Sequence, residues 1–257
     1  MFTTAFPLLA LLALAHGQWP PDVPLPCPEG PPDEVPPPPP SGGGGEGFQC
    51  STPNGTLSAA DRQKILDIHN RFRHSNAQGL EQDGPSGGQR APKGKNIYKL
   101  SYSCELEKEA QGWADNCQFA HSYKDGLGEN VYVSWPAGRG NGGLVTAADL
   151  WWNELKKIGV RKFSSDYTFT NAVHNSRTGH YTQMVWGSTT ELGCGLRHCQ
   201  KPQSQTIVVC NYREQGNMLD GHIYEFGNPC QRDSDCTTFP GSTCSREKGF
   251  EGLCVKA

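Results

Sequence analysis

His180 stands within Gly179-His180-Tyr181-Thr182-Gln183-Met184-Val185-Trp186, among two aromatic rings and two apolar side chains. An imidazole in such company is not a casual surface residue. Neutral imidazole is the commonest protein ligand for zinc-like cations, so beside a second histidine and a pair of carboxylates His180 could bind a metal. Two familiar hydrolytic arrangements are not indicated, because neither a His-Glu-x-x-His helix nor a Gly-x-Ser-x-Gly elbow is expected. No Cys-x2-Cys pair occurs, which argues against a zinc ribbon.

The elements that must position such a site can be read in order. Ser58 with Asp61 resembles a capping box, and Ile65, Leu66, Ile68 and Phe72 give an apolar stripe that predicts a helix to about Ala77. Within it, His69 has no acidic or histidine neighbour in sequence and reads as a structural residue. Gly79 to Gly94 is a polar, Gly- and Pro-rich loop. Ser103 caps a second helix whose Leu106, Ala110, Trp113, Ala114 and Cys117 share one face, ending just before His121. Gly128 to Trp135 alternates as a strand does, and Pro136 to Gly143 breaks it. A third helix is expected over Thr146 to Ile158, with Leu150, Trp151, Leu155 and Ile158 inward and Gly159 as its stop. The stretch around His180 itself alternates like a strand. Leu192 to Gly195 and Thr206 to Cys210 look like a strand pair, the second β-branched and apolar. Helices alternating with antiparallel strands predict an α+β fold, a three-layer α-β-α sandwich with an antiparallel sheet.

Several ordered motifs carry a resemblance. The stretch Gly179 to Trp186, the later Val208-Val209-Cys210-Asn211-Tyr212 with Gly216-Asn217-Met218, and the earlier Gly128-Glu129-Asn130 resemble signatures of the cysteine-rich secretory, antigen 5 and plant pathogenesis-related (CAP, SCP) superfamily, and within it the nematode venom-allergen-like proteins. His69-Asn70-x-x-Arg73 is similar to that family's first-helix motif. The resemblance implies the same sandwich, with the His180 stretch as a short helix in place of a strand. It also implies a central cleft lined by two histidines and two glutamates, which by motif fall on His121, Glu129, Glu154 and His180. His121 and His180 would then be metal ligands for a weakly bound divalent cation, zinc or magnesium, with the carboxylates orienting the rings. The family's two joined strands imply a Cys194–Cys210 disulfide, and Cys117–Cys199 is a second pairing on the same basis. One departure is Glu214, which stands where the family's second signature usually has proline.

Composition bounds the setting. The apolar run Phe6 to Ala15, with Ala13-Leu14-Ala15 as a small-x-small cleavage site, reads as a signal peptide over residues 1–15. Residues 16–49 are a Pro/Gly-rich linker, with prolines 36–40 and glycines 42–45 unbroken. Residues 50–227 make the main domain, and 228–257 a short tail stapled by Cys230, Cys236, Cys244 and Cys254, because so short a segment cannot bury enough surface alone. Eleven cysteines among 257 residues suit an oxidising, extracellular compartment, and the odd one is expected to be Cys27. Cys50 and Cys104 pair within the domain, with partners left open. Asn54-Gly55-Thr56 is a glycosylation sequon. A formal net charge of −3 offers no basic surface for nucleic acid and no polybasic anchor, and no stretch after the leader is long and apolar enough to cross a membrane.

The expectation is a secreted binding protein, monomer or weak dimer, whose partner is an extracellular protein or a small lipid or sterol. The Gly- and Pro-rich stretch from Trp135 to Gly143 is the candidate mobile flank of a lipid groove. Three readings compete. The four cleft residues could merely satisfy one another without metal or turnover; a histidine–glutamate pair could activate a serine such as Ser122 in a secreted hydrolase; or the tail could serve an ion-channel modulator, although such modules normally carry more cysteines.

Overall fold

The computed structural model describes residues 48–85, 88–138 and 140–257. The expected leader, nearly all of the linker and Cys27 lie outside the described residues.

The chain enters through α1 (Ala59–Ala77), whose capping box is complete: Ser58 Oγ accepts from Asp61 N at 3.1 Å and Asp61 Oδ2 accepts from Ser58 N at 2.9 Å. The polar loop after it holds three two-residue strands, β1 (Gln82–Asp83), β2 (Gln89–Arg90) and β3 (Gly94–Lys95). Then come β4 (Ser101–Tyr102), α2 (Cys104–Ala114) and β5 (Gly128–Ser134). The helix α2 stops at Ala114, earlier than its apolar stripe suggests, and Cys117 follows in a left-handed backbone conformation that no helix can contain. The expected third helix begins earlier and is broken in two, α3 (Gly143–Trp152) and α4 (Glu154–Lys157), so Trp151, Trp152 and Leu155 are buried while Leu150 and Ile158 are only half-buried. After α5 (Asn171–His174), the His180 stretch forms α6 (Gly179–Val185), and the long hairpin β6 (Glu191–Cys199) and β7 (Gln205–Arg213) completes the main sheet.

That sheet has strand order β4-β6-β7-β5. Two of its pairings are antiparallel, whereas β4 runs parallel to β6, so the sheet is not wholly antiparallel. Period-2 alternation sends Leu192, Cys194, Leu196, Val208, Cys210 and Tyr212 into the large core shared with α1, α3 and α6. The opposite face carries Ile207 and Val209 against Ala110 and Ala114 of α2. Helix α2 lies almost on the sheet backbone, because a Cβ at Gly193 would sit 2.2 Å from Glu107 N and one at Gly195 would sit 2.4 Å from Gln111 N. Those two glycines, with Cys194 between them facing the other way, set the thickness of that layer. Cys194 is bonded to Cys210 across β6 and β7, Cys117 to Cys199, and Cys50 to Cys104.

The tail is a two-disulfide knot, Cys230–Cys244 and Cys236–Cys254, around β9 (Thr243–Cys244) and β10 (Cys254–Val255); β8 (Glu225–Phe226) before it pairs with β3. It is not free-standing. Tyr98, fully buried, packs among its cysteines, and the Tyr98 hydroxyl donates to Ser242 Oγ at 3.1 Å while accepting from Phe239 N at 3.1 Å.

His69 is structural. Its Nδ1–H donates to the Ile65 carbonyl at 2.8 Å, which leaves Nε2 to accept from the Tyr212 hydroxyl at 3.0 Å. Complete burial pulls its pKa down to about 4, a backbone hydrogen bond to Ile65 opposing and the Arg73 charge assisting. A depressed histidine pKa means that, between its ordinary value and about 4, the unfolded chain takes up a proton that the folded chain refuses. Stability is therefore present above that window and falls as pH falls through it, by about 3 kcal/mol in full. Urea unfolding at pH 7 and pH 4.5 should show this loss, and His69→Gln should flatten the slope; parallel pH profiles would assign the loss elsewhere.

Candidate functional site

The cleft residues come from four separate elements. His121 lies in the loop after α2, Glu129 on β5, Glu154 at the start of α4 and His180 in α6. Glycines make the approach of these elements possible: a Cβ at Gly128 would fall 2.0 Å from Gln183 Oε1 of α6, and one at Gly216 would fall 2.8 Å from both Gln183 and Trp186. Asn217 then ties α6 down, accepting from Thr182 Oγ1 at 2.7 Å and donating to Gly179 O at 2.9 Å. Asn130 donates to the His180 carbonyl at 3.1 Å and to the Tyr212 hydroxyl at 3.2 Å. Gly128, Asn130, Gly216 and Asn217 thus act on the placement of one short helix.

The four residues form two imidazole–carboxylate pairs. His121 Nδ1 lies 2.9 Å from Glu129 Oε1, and His180 Nδ1 lies 2.6 Å from Glu154 Oε1. Each glutamate is fixed in turn by the backbone. Ser122 N donates to Glu129 Oε1 at 2.8 Å and Ser122 Oγ to Glu129 Oε2 at 2.5 Å, while Tyr181 N donates to Glu154 Oε2 at 3.0 Å. Burial alone would raise the Glu129 pKa, but the hydrogen bonds from His121 and Ser122 outweigh it and hold the carboxyl below its usual range. The carboxylate is therefore ionised at neutral pH and oriented as an acceptor.

The indole of Trp151 stacks on the His180 ring, with centroids 5.7 Å apart and planes 17° from parallel. Both imidazoles keep solvent access, the His121 side chain 47% exposed and that of His180 34%, against 7% and 18% for Glu129 and Glu154. Among the described residues neither Nε2 atom has a hydrogen-bond partner, so each ring presents one nitrogen to the outside. Such a donor set, two imidazoles each steadied through Nδ1 by a carboxylate, suits a divalent cation of the zinc type. Among the described residues the only trio of candidate ligand atoms mutually within 4.8 Å is Cys230, Cys236 and Cys254, whose sulfurs are held in disulfides. The cleft is thus no closed three-ligand cage, and a cation there would keep open positions.

A cavity of about 370 Å³ opens on the His121 and Glu129 side, lined also by Tyr123, Gln183, Gly216 and Asn217. The stretch from Trp135 onward, the expected flank of a lipid groove, makes hydrogen bonds to β6 and β7. Trp135 Nε1 donates to Gln205 at 3.0 Å, Gly138 N to Thr206 Oγ1 at 2.8 Å, and His198 Nε2 to Gly140 O at 3.0 Å. Its glycines allow the path, and neighbouring side chains then hold it. The letters Gly84-Pro85-Ser86-Gly87-Gly88 do spell Gly-x-Ser-x-Gly, but between β1 and β2 and not between a strand and a helix.

Residues 66–212 match the model of the CAP, or cysteine-rich secretory protein, family. The chain belongs to that family. The Ancylostoma secreted protein of Ancylostoma caninum is 39% identical over 213 residues, 80% of this chain and 46% of that protein, so the chain spans about half the length of this curated relative. The solved structure of BmVAL-1 matches with a TM-score of 0.72 and 36% identity, covering 82% of this chain and all of that one. A crystal structure of NaASP2 with Zn2+ matches with a TM-score of 0.67 and 35% identity, covering 79% and 100%. The venom-allergen-like resemblance of the motifs therefore holds, and the CAP fold is the fold of this chain.

Motif reasoning did not foresee Trp151 as the surface under His180, nor Ser122 and the Tyr181 amide as the groups that fix the carboxylates. The Trp151-Trp152 doublet three residues before Glu154 was the available signal, but two adjacent tryptophans read first as core.

Proposed function

We propose that this chain is a secreted CAP protein that acts by binding, with a weak divalent-cation site formed by His121 and His180 and supported by Glu129 and Glu154. The carrying observation is the pair of carboxylate-held imidazoles with both Nε2 atoms open. The zinc-containing structure of the similar NaASP2 supports the choice of cation class. When bound, the ion would supply Lewis acidity and open coordination positions for a ligand's oxygen or nitrogen. The protein's own part is to hold the two rings and their tautomers.

Export is supported by the leader-like apolar run, by five disulfides among the described residues and by a relative that is itself named a secreted protein. No helix among the described residues is long and apolar enough to cross a membrane. The Asn54 sequon is exposed on a turn in left-handed backbone, which leaves it accessible to a glycan. The partner is an extracellular protein or a small lipid. Hydrolysis is not the reading we favour, because the Ser122 hydroxyl gives its proton to Glu129 at 2.5 Å and not to an imidazole.

Zinc titration by calorimetry tests the site. The unsubstituted chain should bind one ion weakly, His121→Ala and His180→Ala should each abolish the heat, and Glu154→Gln should weaken binding by roughly 10–100-fold. Equal zinc affinity in the chain and in both histidine variants would remove the proposal.

A further inference from the structure

The sequence from the last residues of α4 into the following turn contains Lys156-Lys157-Ile158-Gly159-Val160-Arg161-Lys162, four cations and no acid in seven residues of a chain whose net charge is −3. The fold divides this segment by character. Lys156, Lys157 and Lys162 are exposed and Arg161 half-buried, while Gly159 and Val160 are buried. The turn between the two cation pairs is tied to β1. Asp83, a buried carboxylate of β1, accepts from Val160 N at 2.6 Å, Arg161 N at 3.1 Å and the Tyr167 hydroxyl at 2.8 Å. Gly159 sits at φ +83°, and a Cβ there would meet Asp83 Oδ1 and Gly84 Cα at 2.9 Å, so only glycine lets the chain reverse at this spot.

Among the described residues the three lysines are also free of ion pairs, Lys162 lying over the Phe163 ring. In this Lys156, Lys157 and Lys162 contrast with Lys95, Lys99, Lys124 and Lys256, and Arg161 reaches Asp83 only at 4.0 Å. The flanking acids are turned to other work: Glu154 is bound by His180 and Tyr181, and Asp166 by Ser164 and Thr168. Seven residues span at most roughly 25 Å even if extended, so the four charges form one compact source of positive potential.

We propose that this turn is a docking site for a sulfated polysaccharide, separate from the metal cleft. A dense, repeating polyanion matches a row of solvated cations with no shaped pocket. An inserted membrane contact fits less well, because none of the exposed large apolar side chains falls within the seven residues. A single-stranded nucleic acid would want a stacking ring, and the nearest, Phe163, is covered by Lys162 Nζ at 4.9 Å from its centroid. The choice of an extracellular polyanion rests on the exported reading above; the basic turn itself does not.

The test is retention of the full chain on immobilised heparin in about 0.15 M salt, with duplex DNA and phosphatidylserine vesicles as parallel arms. The chain should be retained on heparin and bind the other two more weakly. The Lys156→Gln/Lys157→Gln/Lys162→Gln variant, which alters only exposed and unpaired side chains, should lose at least about tenfold in affinity with unchanged Tm. Lys108→Gln/Lys248→Gln, exposed lysines elsewhere, and His180→Ala should both behave as the parent does, so a failure of the metal site leaves this result untouched. Absence of heparin retention, equal retention of the triple variant, or equal binding to DNA or vesicles would overturn the proposal.

Discussion

Arg73→Met should destabilise the protein by about 3–5 kcal/mol, the cost of leaving buried polar groups without their charged partner. Arg73 is fully buried in α1, and among the described residues no carboxylate forms an ion pair with it. Its guanidinium donates instead to four backbone carbonyls, those of Tyr98 and Met184 at 2.7 Å, Thr189 at 3.1 Å and Gly187 at 3.2 Å. Burial pulls its pKa down to about 9, the Tyr212 side chain opposing, so it remains cationic at neutral pH. Met184 O lies in the last turn of α6, where carbonyls lack partners within the helix and the dipole favours a cation. Methionine fills much of the same volume but strands the oxygens of Tyr98, Met184 and Thr189, while Gly187 O keeps the Tyr98 amide at 3.0 Å. Lysine keeps the charge and loses the fork, so Arg73→Lys should fall between the two. Urea unfolding reads the series directly, and a methionine variant within 1 kcal/mol of the parent would mean that the carbonyls find other donors.

The second large effect concerns Arg62 and Glu107, a buried two-point pair joining α1 to α2. Arg62 Nε lies 2.6 Å from Glu107 Oε2 and Nη2 lies 2.7 Å from Oε1, with side chains 6% and 1% exposed. The carboxylate also accepts from Thr52 and Tyr102 hydroxyls, both at 2.6 Å. Burial would raise the Glu107 pKa, but these hydrogen bonds, that of Arg62 foremost, hold it below the usual range. Arg62→Leu removes the cation and leaves the anion buried, at about 3–5 kcal/mol. Removing both ends should cost less than removing one, since two charges leave water in the parent and none in Arg62→Leu/Glu107→Leu. A double variant as unstable as the sum of the singles would show that the two residues act independently.

Neither effect was visible in the primary sequence. Arg62 and Glu107 are 45 residues apart, and Arg73 meets carbonyls up to 116 residues away. A long polar residue on a helix reads as solvent-facing until something is known to cover it. The first-helix pattern His69-Asn70-x-x-Arg73 did mark the right side of α1, but as a motif, with no indication that its three side chains would hydrogen-bond to a tyrosine, to Leu100 and to the end of α6. The break of the third helix at Asn153 was equally hidden, because Trp151 and Leu155 keep helical spacing across it.

What the linear order of residues determined was local. Capping at Ser58 and Ser103, the apolar alternation of β6 and β7 and the small-residue position in Gly128-Glu129-Asn130 are statements about neighbours along the backbone, and neighbours obey short-range rules of sterics and hydrogen bonding. Tertiary structure decided the rest. The stretch carrying His180 alternates well enough for a strand, yet it is a helix, since Asn217, Asn130 and Gln183 lock it to β5 and to the loop after β7 from up to 50 residues away. Which nitrogen of each imidazole stays open was decided there too, by where Glu129 and Glu154 came to rest.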